Sequence, residues 1–224
     1  MNIQHKREAV LFIAYQFPPR GGPGVHRSLN FVKYLRENGF EPIVLTVNEK
    51  DIYDAGYLVD ESLVNSIPEG TKIIRTPSHE PITLIRFMMK IRIYRLAWFC
   101  FYPLFWERSV RWPKKTFPIA KELIKKYHIR LVYTSSGPFS SMLLGKMLKE
   151  KLGIKWVADL RDPFTDAYAW DFPSKFHWYF SRRLERKIFP VADKLILNTT
   201  ETRDLYLKRK LTTEAKSICL TNGF

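Results

Sequence analysis

Residues 9–27, AVLFIAYQFPPRGGPGVHR, decide how this chain folds. A short apolar run stops at two prolines and passes through a glycine cluster into an amphipathic segment, the pattern of a strand, a tight turn and a helix start. Free backbone N–H groups and the dipole at such a helix start favour a phosphate or diphosphate, and glycines let it approach the main chain. The alternative is a turn whose glycines only supply positive φ. A dinucleotide fingerprint needs G-x-G-x-x-G. Gly22 and Gly24 fill its first two places, but Arg27 stands in the third, and Glu49 is only a loosely placed ribose-binding acid. No Gly-Lys-Ser/Thr follows, which excludes a Walker loop.

Working outward, a helix is expected over about 25–38, ended by Gly39. Apolar β-branched runs follow at 43–47, 72–76, 130–134, 155–158, 194–198 and 217–220, separated by helical patterns. Those between helices are continuously apolar, as strands covered on both faces are. The fold class is therefore α/β: a Rossmann-like, mostly parallel sheet with helices on both faces. A chain of 224 residues, 46% of them hydrophobic, is expected to form one domain over 1–224 without repeats or a linker. Cys100 and Cys219 sit in apolar segments and are expected to be buried thiols of a reducing compartment. Lys6 and Arg7 precede the first apolar run in the manner of a signal peptide, but that run is short and lacks a cleavage site, so a cytoplasmic location is expected.

The segment DLRDPF at 159–164 follows an apolar run directly, which puts Asp159, Arg161 and Asp162 at a strand's C-terminal edge, where ligands of open α/β sheets bind. Asp162 is the preferred carboxylate for orienting or deprotonating a hydroxyl, Asp159 the alternate, and Arg161 a phosphate or carboxylate partner. The alternative is an internal Asp–Arg pair with Asp162 capping the next helix. Ser135 and Ser136, before Gly137, lie at another strand-to-helix turn, where they either bind a ligand's hydroxyls or phosphate or cap a helix. Glu201 sits at a similar turn, where capping is the competing role. The histidines show no metal spacing, so no metal is expected.

These segments together resemble the N-terminal domain of GT-B glycosyltransferases of family 4, in the subgroup whose first loop reads like FPPRGGPGVHR. The SSGPFSS turn at 135–141, DLRDPF at 159–164, ADKLILNTTE at 192–201 and the terminal TNGF carry the resemblance along nearly the whole chain. It implies two Rossmann-like domains across a cleft, with this one holding the acceptor, a nucleotide sugar as donor, a retaining reaction and no metal or other cofactor; no D-x-D motif is present. It also implies that Gly21, Gly22 and Gly24 admit the donor diphosphate, with Arg27 as an added cation or else a solvated first-turn arginine, and that His26, Ser135, Ser136 and Glu201 serve the acceptor. The chain stops at Asn222-Gly223-Phe224, about where the family crosses into the donor domain. The E-x(7)-E donor motif is therefore expected outside it, and little activity is expected of this chain alone.

Charge is the second strong feature: +15 net, from 37 Lys and Arg against 22 acids. Residues 82–115 hold eight basic residues, one acid and nine aromatics. That mixture suits an anionic lipid surface. The longest uncharged run, 96–106, contains Pro103 and is far shorter than the about 20 residues a spanning helix needs. An interfacial segment is expected, helped by a second basic-aromatic stretch at 172–189, with the acceptor a lipid-linked or surface-polysaccharide intermediate and the site of action the inner membrane face. Stacking on single-stranded nucleic acid competes as a reading, but no binding module appears and no nucleic-acid partner is expected. A nicotinamide-dependent enzyme is disfavoured by Arg27 in the third glycine position, and a non-catalytic binding protein remains the main alternative.

Overall fold

The computed structural model describes residues 7–102, 107–166, 172 and 174–221. Pro103 and residues 222–224 of the terminal motif lie outside them. Seven strands form one sheet: β1 (Glu8–Ala14), β2 (Phe40–Val47), β3 (Lys72–Thr76), β4 (Leu131–Ser135), β5 (Lys155–Leu160), β6 (Lys194–Leu197) and β7 (Ser217–Cys219). Their order is β3-β2-β1-β4-β5-β6-β7, and every pairing is parallel. The chain runs outward from β1 to β3, then crosses back to place β4 on the other side of β1. The crevice beyond the ends of β1 and β4 is therefore the switch point of the sheet. Register levels the site-bearing ends: Ala14 pairs with Ser135, and Ser135 with Asp159.

Eight helices connect the strands among the described residues: α1 (Pro23–Glu37), α2 (Glu49–Asp54), α3 (Ile82–Lys90), α4 (Tyr94–Cys100), α5 (Trp112–Lys126), α6 (Ser140–Leu152), α7 (Lys175–Ile188) and α8 (Thr200–Lys208). Side chains alternate across β1, which explains why its sequence is apolar throughout. Val10, Phe12 and Ala14 pack with Val25, Leu29 and Val32 of α1 on one face. Leu11, Ile13 and Tyr15 join Trp112, Leu144 and Trp156 on the other. Helix α6 lies so close to the sheet that a Cβ on Gly145 would stand 2.3 Å from Trp156 Nε1. The indole nitrogen donates to Thr134 Oγ1 at 2.9 Å, which fixes the ring there.

Helix α1 starts where Pro23, with its preset φ and no N–H to lose, follows Gly22 at φ 104°. Gly39 at φ 83° turns the chain into β2. The cysteine expectation is corrected: Cys100 is exposed and Cys219 half-buried. Cys100 ends α4, none of whose residues is buried, and Cys219 closes a three-residue edge strand.

Helices α4 and α7 bring the two basic-aromatic stretches together. Tyr102 and Ser181 share a hydrogen bond of 2.8 Å, and buried His177 bonds to Phe99 O at 3.0 Å and to Ser174 Oγ at 2.6 Å. A carbonyl only accepts, so His177 Nε2 is the donor to Phe99 O. Around this joint, Phe87, Leu96, Phe99, Phe176 and Tyr179 are all exposed.

Candidate functional site

Strand β1 delivers Tyr15 and Gln16 to the switch point, and the glycine loop behind them is pinned by a second segment. Gly21 N donates to Leu58 O at 2.9 Å, and Arg20 forms an antiparallel bridge with Val59. The Arg20 guanidinium lies 3.7 Å over the Tyr57 ring. Tyr15 donates to Glu80 Oε1, and Tyr57 reaches the same carboxylate at 2.8 and 3.0 Å. Burial and the Glu80 charge raise both phenols, Tyr57 up to about 12, so both stay neutral donors.

Strand β5 delivers Asp159, Arg161 and Asp162, and their fates differ. Asp159 is fully buried and takes a bidentate pair from Arg27: Nε to Oδ2 at 2.9 Å and Nη2 to Oδ1 at 2.7 Å. Arg27, 6% exposed, also donates to the Leu220 and Thr221 carbonyls. This departs from the expectations of a cation facing a phosphate and of Asp159 as a second reacting carboxylate. Leaving either charge unpaired in the core is too costly, so the two residues serve each other.

Arg161 turns the other way, into the space between the two loops. Its backbone N–H donates to Ser136 Oγ at 2.9 Å, Nε to Ser136 O at 2.8 Å and Nη2 to Gln16 Oε1 at 3.1 Å. A Cβ on Gly24 would lie 1.4 Å from its Nη1, and one on Gly137, at φ 83°, 1.8 Å from its Nη2. The glycines of both loops therefore make room for this guanidinium as well as for any ligand. Burial, its largest influence, lowers the Arg161 pKa, and the charges of Asp162 and Asp159 oppose that shift.

Asp162 is exposed and lines a cavity of about 650 Å³ with Tyr15, Gln16, Arg20 and Tyr57. It makes no hydrogen bond or ion pair with any described residue, and among the described residues that follow it directly, 163–166, no helix starts, so the capping alternative is not realised there. The loop beyond it is anchored from below. Asp166 accepts from Arg182 at 3.0 Å and pairs with Arg209, which also pairs with buried Glu185. Tyr206 donates to Glu185 at 2.8 Å and accepts Phe164 N–H at 3.0 Å. Asp162 thus stands on a rigid base while its own side chain is unengaged.

The opposite wall comes from the 82–115 segment. Glu107 accepts the N–H groups of Phe139 and Ser140, each at 2.7 Å, and so fills the helix start of α6. It also faces the cavity, where burial raises its carboxyl to about 7 against the pull of those amides. Neither of the preceding serines caps this helix: Ser136 is occupied by Arg161, and Ser135, buried at the end of β4, lies beside Asp159 in register. His26 is exposed on α1 outside this cavity. Glu201 sits in the first turn of α8, held below the usual carboxylate range by its own backbone N–H and the Thr199 hydroxyl. Gly21 packs on Leu58 and Asp60, and Gly22 faces open space. Sequence reading missed Arg20, Tyr57, Glu80, Arg108 and Glu107; Arg20 alone carried a local signal, by its place beside the glycines.

An all-parallel sheet with a glycine loop, an arginine and an unengaged carboxylate at its switch point agrees with a comparison of families, in which the profile of Glycosyltransferase Family 4 matches residues 21–224. The chain belongs to glycosyltransferase family 4. No curated protein compared with it is similar in sequence. Among solved structures, this family 4 chain is similar to UDP-GlcNAc 2-epimerase from Methanocaldococcus jannaschii, at 9% identity and a TM-score of 0.47 over 97% of the chain and 45% of the epimerase. It is also similar to UGT73P12 of Glycyrrhiza uralensis complexed with glycyrrhetinic acid 3-O-monoglucuronide, at 10% identity and 0.45 over 97% and 49%. A third is the spinosyn rhamnosyltransferase SpnG complexed with thymidine diphosphate, at 12% identity and 0.40 over 84% and 44%. The family 4 chain spans less than half the length of each of these proteins.

Proposed function

We propose that this chain is the acceptor-side domain of a glycosyltransferase, which moves a sugar from a nucleotide sugar to a lipid-linked or cell-surface polysaccharide intermediate when a donor domain closes over it. Asp162 carries the reading: an exposed carboxylate, free of hydrogen bonds among the described residues, at the switch-point cavity. Such a group orients the acceptor hydroxyl and draws its proton as the glycosidic bond forms. Arg161, lodged between Gly24 and Gly137, and the N-terminus of α1 supply positive potential for the donor diphosphate. The buried Arg27–Asp159 pair, next to them, holds the two loops in register.

Peripheral attachment to the inner face of the cell membrane belongs to the same reading. The exposed aromatic and aliphatic side chains of α3, α4 and α7, interleaved with Arg and Lys, support it. No helix among the described residues is long and apolar enough to cross a membrane.

The test is Asp162→Asn in the complete enzyme, followed as nucleoside diphosphate release from a panel of nucleotide sugars with the cell's own lipid extract as acceptor. Loss of a positioned base slows the rate by about 10²–10⁴-fold. A variant as fast as the parent at an unchanged melting temperature sinks the proposed role.

A further inference from the structure

Glu107 is the one acid among residues 82–115, and it stands among eight basic residues. Rather than pair with a cation, it turns inward to the start of α6. Phe139, at the N-cap position of that helix, has no side-chain cap within its own segment, and the first turn holds no acid. Glu107 supplies both, with one oxygen on the Phe139 N–H and the other on the Ser140 N–H, each at 2.7 Å. The stretch that carries it is anchored. Ser109 shares a hydrogen bond of 2.7 Å with Ser140 Oγ, and fully buried Trp112 donates to Thr76 Oγ1 at 2.8 Å and meets the Tyr15 ring edge-on. Helix α4, earlier in the same segment, buries none of its residues. At Glu107 the 82–115 segment therefore changes from a surface element to a wall of the site.

What this wall holds is the loop on which Arg161 rests. Residues 136–139 run from the end of β4 to α6, and Glu107 fixes their far end. At the near end, Ser136 N–H donates to Asp159 O at 2.8 Å, while Ser136 O and Oγ accept from Arg161 Nε and N–H at 2.8 and 2.9 Å. Gly137 between them leaves the space that the guanidinium fills. A carboxylate on two N–H groups is a charge-assisted cap, about twice as strong as a neutral one. Without the charge, the loop is held more weakly, and so is the Ser136 oxygen that orients Arg161. The titratable and charged groups around Glu107 are Arg108 of its own segment, Tyr102 just past α4, Tyr15 and Arg20 of the loop after β1, Tyr57, and Asp162 and Asp166 of the loop after β5. Burial outweighs the two amides and the Ser140 and Ser109 hydroxyls and raises the Glu107 carboxyl to about 7.

We propose that Glu107 is a positioning residue of the transfer reaction: by capping α6 it sets the 136–139 loop and, through Ser136, the Arg161 guanidinium. The 82–115 segment is then part of the reaction site as well as a surface element. This rests on the transferase reading above, in which Arg161 serves the donor diphosphate. Because the hold depends on the charge of Glu107, the site tightens as pH rises through about 7.

NMR of the purified, nitrogen-labelled chain follows the Phe139 and Ser140 amides and the Arg161 Nε–H as pH is raised. All three are expected to shift with one midpoint near 7 and to stand still in Glu107→Gln. An Arg161 signal that ignores pH while the two amides titrate, or that titrates unchanged in Glu107→Gln, overturns the proposal and leaves Glu107 a helix cap only. In the complete enzyme, kcat/KM for the nucleotide sugar is expected to rise about tenfold from pH 6 to 8. Glu107→Gln is expected to be flat over that range and about tenfold or more slower at pH 8, since a small misplacement at the site is enough for such a loss. Glu107→Asp is expected to restore the pH dependence and part of the rate. A loss of equal size at every pH is what a purely structural cap gives, and it overturns the proposal. Melting curves show that each variant folds; if Glu107→Gln does not, the Arg161 signal of the parent decides alone. The NMR arm needs no activity, so a failed Asp162→Asn experiment sinks the transferase reading and leaves the link from Glu107 to Arg161 standing.

Discussion

Asp159 and Arg27 show what a charged pair does when it is buried beside a site. Asp159 is fully buried, and both of its oxygens are bonded to the guanidinium of Arg27. Removing one member strands the other in the core, which costs about 3–5 kcal/mol. Asp159→Asn and Arg27→Gln are therefore expected to lower chemical-denaturation stability by that amount, whereas Asp162→Asn, at an exposed and unbonded position, changes it by less than about 0.5 kcal/mol. Equal losses at Asp159 and Asp162 would contradict the assignment of one to structure and the other to chemistry. Glu107 makes a pH-dependent prediction. Its folded-state value of about 7 lies above the ordinary 4.5 because burial disfavours its charge. The native chain thus keeps a proton that the unfolded chain releases between those values, and this contribution to stability is complete below pH 4.5 and lost as pH rises through 7. Melting curves of Glu107→Gln and the parent across pH 4.5–8 are expected to show the variant gaining relative stability up to about pH 7 and a constant difference above it.

At the level of elements, the close approach of α6 to β4 and β5 sets the position of the loop that holds Arg161. Gly145 makes that approach possible, since a Cβ there meets Trp156 at 2.3 Å and Thr134 Cγ2 at 2.8 Å, both fully buried. Trp156 is hydrogen-bonded to Thr134 and cannot swing aside. Gly145→Ala gains helix propensity of about 1 kcal/mol and yet is expected to destabilise by about 1–3 kcal/mol, because overpacking a rigid core outweighs it. A rise in melting temperature for this variant would show that α6 is free to move off the sheet. The joint between α4 and α7 is of the opposite kind, a few hydrogen bonds and rings around His177.

On the scale of the molecule, that joint brings together two distant segments that both carry exposed apolar and basic side chains. Each Lys or Arg near an anionic bilayer contributes on the order of 1 kcal/mol, and aromatic side chains settle at the interface. The chain is expected to float with vesicles containing anionic phospholipid at low salt and to be released as salt screens the charges. Phe87→Ser combined with Leu96→Ser and Tyr179→Ser is expected to weaken flotation at least tenfold with melting temperature unchanged, since all three are exposed. Flotation that is indifferent to both salt and this triple change removes the membrane surface from the account.

Residues 9–27 by themselves determined the strand, the glycine turn and the helix start, and the continuously apolar runs determined a buried parallel sheet, because period and turn chemistry are local properties of a chain. Strand ends were legible to within a residue in places: the run read as 130–134 is Leu131–Ser135. That Asp162 and Arg161 stand just past the C-terminal end of a strand was legible, because a strand end is visible in sequence. The tertiary structure alone decided that Arg27 belongs to Asp159, 132 positions away, that Arg161 threads between Gly24 and Gly137, and that Glu107 fills the start of α6. Charged side chains choose partners by which strand ends the sheet order brings together and by the cost of burying a charge alone, and neither is written in the neighbouring residues.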